Sequence, residues 1–233
     1  MATSLALTKD QQPRHPPFAP PSPVDAFVKL VGLTITAAPG QTIVVEGDPA
    51  DHYYRIVSGT VRLYQSIADG RRQVIDFLSD GDVFGLTGVA HHPLSVEAVS
   101  RVTIIRYPRR WIEPALESNP ELARRLFQLA CVELQRAQRQ MLLLGRKTAD
   151  ERIASFLLRL AESAEGGLIR VIALSMSRLD IADHLGLTIE TVSRTFSRFR
   201  REGLIGLPSR HEVELKQIGR LRAIAEGASV RAA

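Results

Sequence analysis

Three side chains near the C-terminal end, Glu190, Ser193 and Arg194, have the types and spacing to read nucleic-acid bases. They lie in the stretch "LTIETVSRTFSRFRREGLI". An arginine can donate two parallel hydrogen bonds to O6 and N7 of a guanine, and a carboxylate can accept from N4 of a cytosine. If the stretch is helical, at about 100° per residue, Val192, Phe196 and Phe199 fall within about 60° of one another and form a buried stripe. Glu190, Ser193, Arg194, Ser197 and Arg201 fall on the opposite side, with the first three in the opening turns that enter a major groove. A glutamate facing phosphates would be repelled, so its place on this face asks for a base donor. Ser177, Arg178, Thr188, Thr191, Ser197, Arg198, Arg200, Arg201 and Arg210 are the candidate contacts to the sugar-phosphate backbone, which set affinity rather than sequence preference.

Such a helix needs a frame, and the preceding residues supply one. Ser177 to Asp180 spell a capping box, and Ile181, Ala182 and Leu185 point inward from the helix it starts. Gly186 provides a sharp turn, and Thr188 caps the helix that carries the base-reading residues. Two helices joined this way form a helix-turn-helix. "GLIGLPSRHEVEL" then reads as a two-stranded wing with Arg210 near its tip, and "LIRVIAL" as a strand before the motif.

Farther back, Thr148 to Glu151 form another capping box ahead of an apolar stripe, Ile153, Phe156, Leu157 and Leu160. A long helix opening at Asn119-Pro120-Glu121 carries Ala123, Phe127, Ala130, Leu134, Ala137, Met141 and Leu144 at alternating spacings of about three and four residues, an a/d seam. The seam suits a second copy of the helix; packing on the chain's own β region is the other option. Gly145-Arg146-Lys147 is expected to break it as a hinge. From Ala37 to about Trp111 short β runs ("TIVVEG", "YYRIVSGTVRLYQS", "QVIDFL", "VTIIRY") alternate with glycines, which predicts a β-sandwich or roll. Asp69-Gly70 should supply positive φ at a hairpin tip.

The expected class is α+β, in four parts: a proline-rich flexible arm (1–23), a β-roll (24–115), a dimerisation helix and hinge (116–147), and a winged helix-turn-helix (148–233). A chain of 233 residues has room for two compact domains, and its net charge of +5 favours an acidic partner. One cysteine, Cys131, excludes an internal disulfide framework and a multi-cysteine metal cluster; beside the seam it is a small packing residue or a redox sensor. No apolar run approaches ~18 residues and no signal pattern opens the chain, so a cytoplasmic protein without membrane association is expected. Nucleophile elbow, phosphate-cradling glycine loop and zinc-protease spacing are all absent from the sequence, which argues against an enzyme.

In this order, β-roll, long helix and "LDIADHLGLTIETVSRTFSRFRREGLI", the chain resembles the CRP/FNR family of bacterial transcription regulators, and Glu190, Ser193 and Arg194 match the Glu-x-x-Ser-Arg of its FNR and FixK branches. The resemblance implies a homodimer on double-stranded DNA, reading TTGA-type palindromic half-sites, with Arg194 on the guanine, Glu190 on the opposite cytosine and Ser193 against thymine. Ile189 stands where the CRP branch carries a second base-contacting arginine. The resemblance also implies activation by contact with RNA polymerase at genes of microaerobic or anaerobic respiration, denitrification or nitrogen fixation. In cyclic-nucleotide binders of the family a glutamate and an Arg-Ser pair hold the ligand; here Leu86 and His92-Pro93 fall at about those positions in "GDVFGLTGVAHHPLSVEA". One cysteine does not suffice for the four-cysteine cluster of oxygen-sensing relatives. A FixK-like regulator with no bound cofactor is therefore expected; the alternative is a ligand-gated sensor of the same fold, with His52, His91 or His92 available to haem. Some FixK-like chains carry cysteine where this one has Ser177, and serine cannot form a sulfenic acid, so resistance to peroxide is expected.

Overall fold

In the computed structural model, residues 32–162 and 168–227 are described. The proline-rich arm lies outside them. Eight strands, β1 (Leu33–Ala37), β2 (Thr42–Val44), β3 (His52–Ser58), β4 (Val61–Ser66), β5 (Arg72–Leu78), β6 (Val83–Phe84), β7 (Ser95–Ala98) and β8 (Val102–Pro108), form two antiparallel sheets of order β1-β8-β3-β6 and β2-β7-β4-β5. Alternating residues such as Ile56, Val61, Leu78, Val96, Val102 and Ile104 fill the space between the sheets. At the β4–β5 tip Gly70 takes φ +84°. Asp69 does not share it: among the described residues only glycines have positive φ. A side chain there is tolerated but strained, and one glycine suffices to reverse the chain.

Two helices follow. Helix α1 (Arg109–Ser118) contains Pro114, and α2 (Pro120–Arg146) begins where the Asn119 side chain accepts a hydrogen bond from the Leu122 amide at 3.1 Å. Helix α2 has two apolar faces. Leu122 and Leu129 are buried with Tyr53, Val83, Tyr107 and Ile112, against the β-roll and α1. Roughly a third of a turn away, Phe127, Leu134 and Met141 are 70%, 59% and 66% exposed. Of the seam residues, Ala130 and Ala137 are also exposed, while Ala123 and Leu144 are half-buried. The roll thus takes a different face from the seam. The helix runs through Gly145 to Arg146, so the break falls at Lys147, the last residue of the expected Gly145-Arg146-Lys147 segment.

The C-terminal part comprises α3 (Ala149–Ala161), β9 (Val171–Ala173), α4 (Arg178–Leu185), α5 (Ile189–Arg201), β10 (Ile205–Ser209), β11 (Glu212–Leu215) and α6 (Ile218–Ala225). The wing hairpin β10–β11 is extended by β9 into a three-stranded antiparallel sheet. Ile153, Phe156, Leu157, Ile181, Leu185, Val192, Phe196, Phe199, Val213 and Leu221 make one core. Val74 and Phe77 of β5 belong to it, so the roll and the helical part share apolar packing.

Candidate nucleic-acid interface

The frame of the interface is built by local chemistry. Ser177 Oγ accepts from the Asp180 amide at 3.1 Å, while Asp180 Oδ2 accepts from the Ser177 amide at 3.0 Å and from Ser177 Oγ at 2.7 Å. This capping box satisfies amide donors that the first turn of α4 would otherwise leave orphaned. At the other end Gly186, at φ +60°, closes the helix in the left-handed conformation. A non-glycine residue here would be strained, and its Cβ would meet Arg152 Nη1 at 3.3 Å. Thr188 Oγ1 then accepts from the Thr191 amide at 3.2 Å and starts α5. The expected cap, turn and cap are all present.

Helix α5 buries Val192, Thr195, Phe196 and Phe199 and turns Glu190, Ser193, Arg194, Ser197, Arg200 and Arg201 to solvent. Glu190, Arg194, Arg200 and Arg201 form no ion pair among the described residues. Among the described residues Arg194 reaches only the Thr191 hydroxyl, at 3.5 Å, and Thr188 and Thr191 share a hydroxyl contact of 3.1 Å. An open groove between α5 and the start of α3 is lined by Ala149, Asp150, Ser193, Arg194, Ser197 and Arg198.

Besides the hydroxyl-paired Thr188 and Thr191, three candidate backbone contacts are engaged within the chain. Arg198 pairs with Asp150 at the start of α3 and lies 3.9 Å from Glu202. Ser177 gives its proton to Asp180. Arg178 lays its guanidinium 3.5 Å from the Phe196 ring centroid, with Nη1 buried and without a hydrogen-bond partner among the described residues; burial pulls its pKa below the ordinary arginine value. Flat stacking on an aromatic face offsets part of that desolvation. Arg210 is exposed in the turn between β10 and β11.

Sequence reasoning missed Asp150 as a groove residue, although its place in the first turn of α3, beside the Thr148 cap, was visible. It also missed the attachment of α4 to the roll, for which a lone sequence carries no signal. His184 is buried against Phe77 and Phe156. Its Nδ1 lies 3.1 Å from the Val74 carbonyl and its Nε2 3.2 Å from Arg159 Nη2, which assigns the proton to Nδ1. Burial, reinforced by Arg159, holds its pKa down at about 4.

Inside the roll, Tyr54 stacks on Phe84 with ring centroids 4.7 Å apart, and the buried His92 ring lies 6.2 Å from Tyr54. Burial lowers the pKa of both His92 and His52. Leu86 packs against the apolar cluster of Tyr53, Tyr107 and Ile112. Among the described residues no three His, Cys, Asp or Glu side chains come together as metal ligands would. No helix there is long and apolar enough to cross a membrane.

Comparison with known proteins agrees with this architecture. A Crp-like helix-turn-helix domain matches residues 151–224 and a cyclic nucleotide-binding domain matches residues 34–119. The chain is 40% identical over 228 residues to the nitrogen fixation regulation protein FixK of Azorhizobium caulinodans, covering 89% of this chain and 92% of that one. It is 41% identical over 171 residues to the transcriptional activatory protein AadR of Rhodopseudomonas palustris, covering 72% of this chain and 71% of the relative. The solved structure of FixK2 from Bradyrhizobium japonicum superposes with a TM-score of 0.79 at 38% identity, over 84% of this chain and 98% of that one. Outward-facing Glu190, Ser193 and Arg194 on a capped second helix, set behind a β-roll, therefore have a known setting: the chain belongs to the CRP/FNR family, among the FixK-type proteins, and is a DNA-binding transcription regulator rather than an enzyme.

Proposed function

We propose that two copies of the chain join along α2 and read a palindrome of TTGA-type half-sites, activating transcription through contact with RNA polymerase and without a bound small-molecule effector. The observation that carries this is the exposed face of α5, where Glu190, Ser193 and Arg194 stand together with no charged partner of their own among the described residues. Arg194 would take the guanine and Glu190 the cytosine opposite. Ser193 would pack on thymine, and Thr188, Thr191, Ser197, Arg201 and Arg210 would hold phosphates. Ser177, Arg178 and Arg198 can contribute there only by sharing or leaving their present partners.

Dimerisation is supported by the second apolar face of α2. Phe127, Leu134 and Met141 are large, aligned and open to solvent in the single chain, whereas the roll occupies the other face. Such a face matches its own copy, as an a/d seam requires. The effector-free reading is supported by what fills the roll: the Tyr54–Phe84 stack, the buried His92, and Leu86 turned into an apolar cluster where a ribose would need an acceptor. Control of nitrogen-fixation or microaerobic genes follows the FixK relatives. The domain limits we propose are those of the sequence reading, with 116–147 as the dimer helix and hinge and 148–233 as the winged helix-turn-helix.

Half-sites in a two-fold dimer lie one helical turn apart, so four-base half-sites call for a spacer of roughly six base pairs. Purified, colourless protein is expected to bind such a duplex at least ~10³-fold more tightly than a scrambled one at one stated salt concentration. Selective binding only after a cyclic nucleotide or haem is added would overturn the effector-free reading, and equal binding to both duplexes would overturn the site assignment.

A further inference from the structure

Helix α4 is held by the roll at both ends. On its N-terminal side, Arg62 Nη1 (β4) donates to Asp180 Oδ1 at 2.8 Å, and Arg72 Nη2 (β5) donates to the same oxygen at 2.9 Å. Arg72 also reaches Asp183 Oδ2 through Nη2 at 3.0 Å and Nε at 3.1 Å. Asp180 is only 4% exposed, and Arg62 is kept in place by a second carboxylate, Glu97. At the C-terminal end the orphan carbonyls of α4 are taken by donors from three elements. Gln73 Nε2 of β5 donates to the Asp183 carbonyl at 2.7 Å, Gln140 Nε2 of α2 to the His184 carbonyl at 2.8 Å, and Arg152 Nη1 of α3 to the Leu185 carbonyl at 2.7 Å. Asp180 therefore acts twice: one oxygen caps α4 and the other ties it to the roll.

The apolar part of this contact, Val74 and Phe77 against the helical core, favours contact without fixing an angle, because burial is non-directional. The arginine forks fix both distance and direction. A small change of angle matters at the DNA. Helix α5 has 13 residues, roughly 20 Å at 1.5 Å each, so a rotation of about 10° about the α4 attachment displaces its far end by about 3.4 Å, one base-pair rise.

We infer that Arg62, Arg72 and Asp183 are positioning residues for DNA recognition: by locking α4 to the β-roll they set the angle at which each protomer presents α5, and hence the half-site spacing that the dimer accepts. The inference rests on the dimeric reading proposed above. None of the three is assigned a DNA contact, so the lock acts through α4 alone.

The test is binding of the full chain to palindromes that differ only in spacer, from two base pairs shorter to two base pairs longer than the best. Wild-type protein is expected to prefer one spacer by about tenfold over its neighbours, a difference of about 1.4 kcal/mol. R62Q/R72Q is expected to flatten that profile to within about threefold, and R72K, which keeps the charge but loses the fork, to flatten it part of the way. In a double-mutant cycle, R72Q and D183N should each flatten the profile and together do no more than R72Q alone, because the contact D183N removes is one of the two that R72Q takes away. If the glutamine variant does not fold, D183N alone carries the comparison, since it leaves Asp180 both arginines. Folded variants that keep the wild-type spacing profile overturn the inference, and so does an equal loss of affinity at every spacing. Wild-type protein that does not select the palindrome overturns the dimeric reading and the inference with it, a failure visible before any variant is made.

Discussion

Helices α4 and α5 are neighbours in one core, yet they place their charged groups oppositely. On α4, Asp180 is buried, Asp183 and His184 face β5, and each has a partner within the chain. On α5, Glu190, Arg194, Arg200 and Arg201 face solvent with no ion pair among the described residues. The two helices share apolar residues of the same kind, Ile181 and Leu185 beside Val192 and Phe196. Hydrophobic burial therefore does not distinguish their roles; the disposition of charge does. A helix whose polar groups are satisfied internally serves as an anchor, and one whose polar groups are left open is built for a partner outside the chain.

The contrast can be broken hardest at Asp180. D180A removes the N3 half of the capping box, worth about 1 kcal/mol, and two charge-assisted hydrogen bonds to half-buried arginines, worth about 1.5 kcal/mol each. The expected loss is about 4 kcal/mol, read from the urea midpoint at constant m-value. A loss below about 1 kcal/mol would mean that the charges of α4 are as free as those of α5.

Acid attacks the same anchor slightly less. Arg159, Asp76, Gln73 and Gln140 face His184 or its carbonyl, and the ring is wedged between Phe77 and Phe156. Its pKa in the folded chain is about 4, against about 6.5 when unfolded. Above pH 6.5 both states are neutral there and nothing is gained or lost. As pH falls from about 6.5 to about 4 the unfolded chain binds a proton that the folded chain refuses, so stability drops, by about 3 kcal/mol in total for this group. H184Q, which keeps a polar side chain but cannot titrate, should flatten that part of the pH–stability curve. An unchanged slope would place the acid sensitivity elsewhere.

What was legible in the sequence was local. Ser177 with Asp180, Thr148 with Glu151, Gly186, Thr188 and the Val192–Phe196–Phe199 stripe are written within a few residues of one another, and each is where the spacing put it. Strands β3, β4, β5 and β8 were visible as β-branched and aromatic runs between glycines. The two-residue β6 and the four-residue β7 were too short for a period, and Pro114 hid α1. Partnerships across long stretches of chain were not legible at all. Asp180 looked like a cap and is also the acceptor of Arg62 and Arg72, more than a hundred residues earlier. Arg198 looked like a free phosphate contact and is paired with Asp150. Both follow from the fold, because tertiary packing decides which charge meets which.

On α5 the expected effects are on binding rather than folding. R194A should cost about 1–3 kcal/mol at the cognate palindrome and relax preference at the guanine, while stability moves by less than about 0.5 kcal/mol. A loss of stability comparable to that of D180A would erase the difference between the helices, and an intact guanine preference would remove Arg194 from the reading residues.

The smallest effect sharpens the comparison most, because Asp150 is where the groove departs from the open pattern of α5. Its carboxylate pairs with Arg198 and lies in hydrogen-bond range of Thr195 Oγ1, at 3.4 Å, so it occupies a cation that phosphate could otherwise take. A part-exposed pair of this kind contributes about 0–1 kcal/mol to folding. Removing the negative charge in D150N costs the fold little, releases Arg198 and lessens repulsion of the DNA backbone. Affinity should rise a few-fold, about 0.5–1 kcal/mol, equally for cognate and scrambled duplexes, and the slope of log affinity against log salt should steepen by up to about one unit. Tighter binding to the cognate site alone would instead make Asp150 a determinant of sequence preference. Weaker binding would mean that the pair holds Arg198 in the orientation DNA requires, and that part of α5 is anchored in the same way as α4.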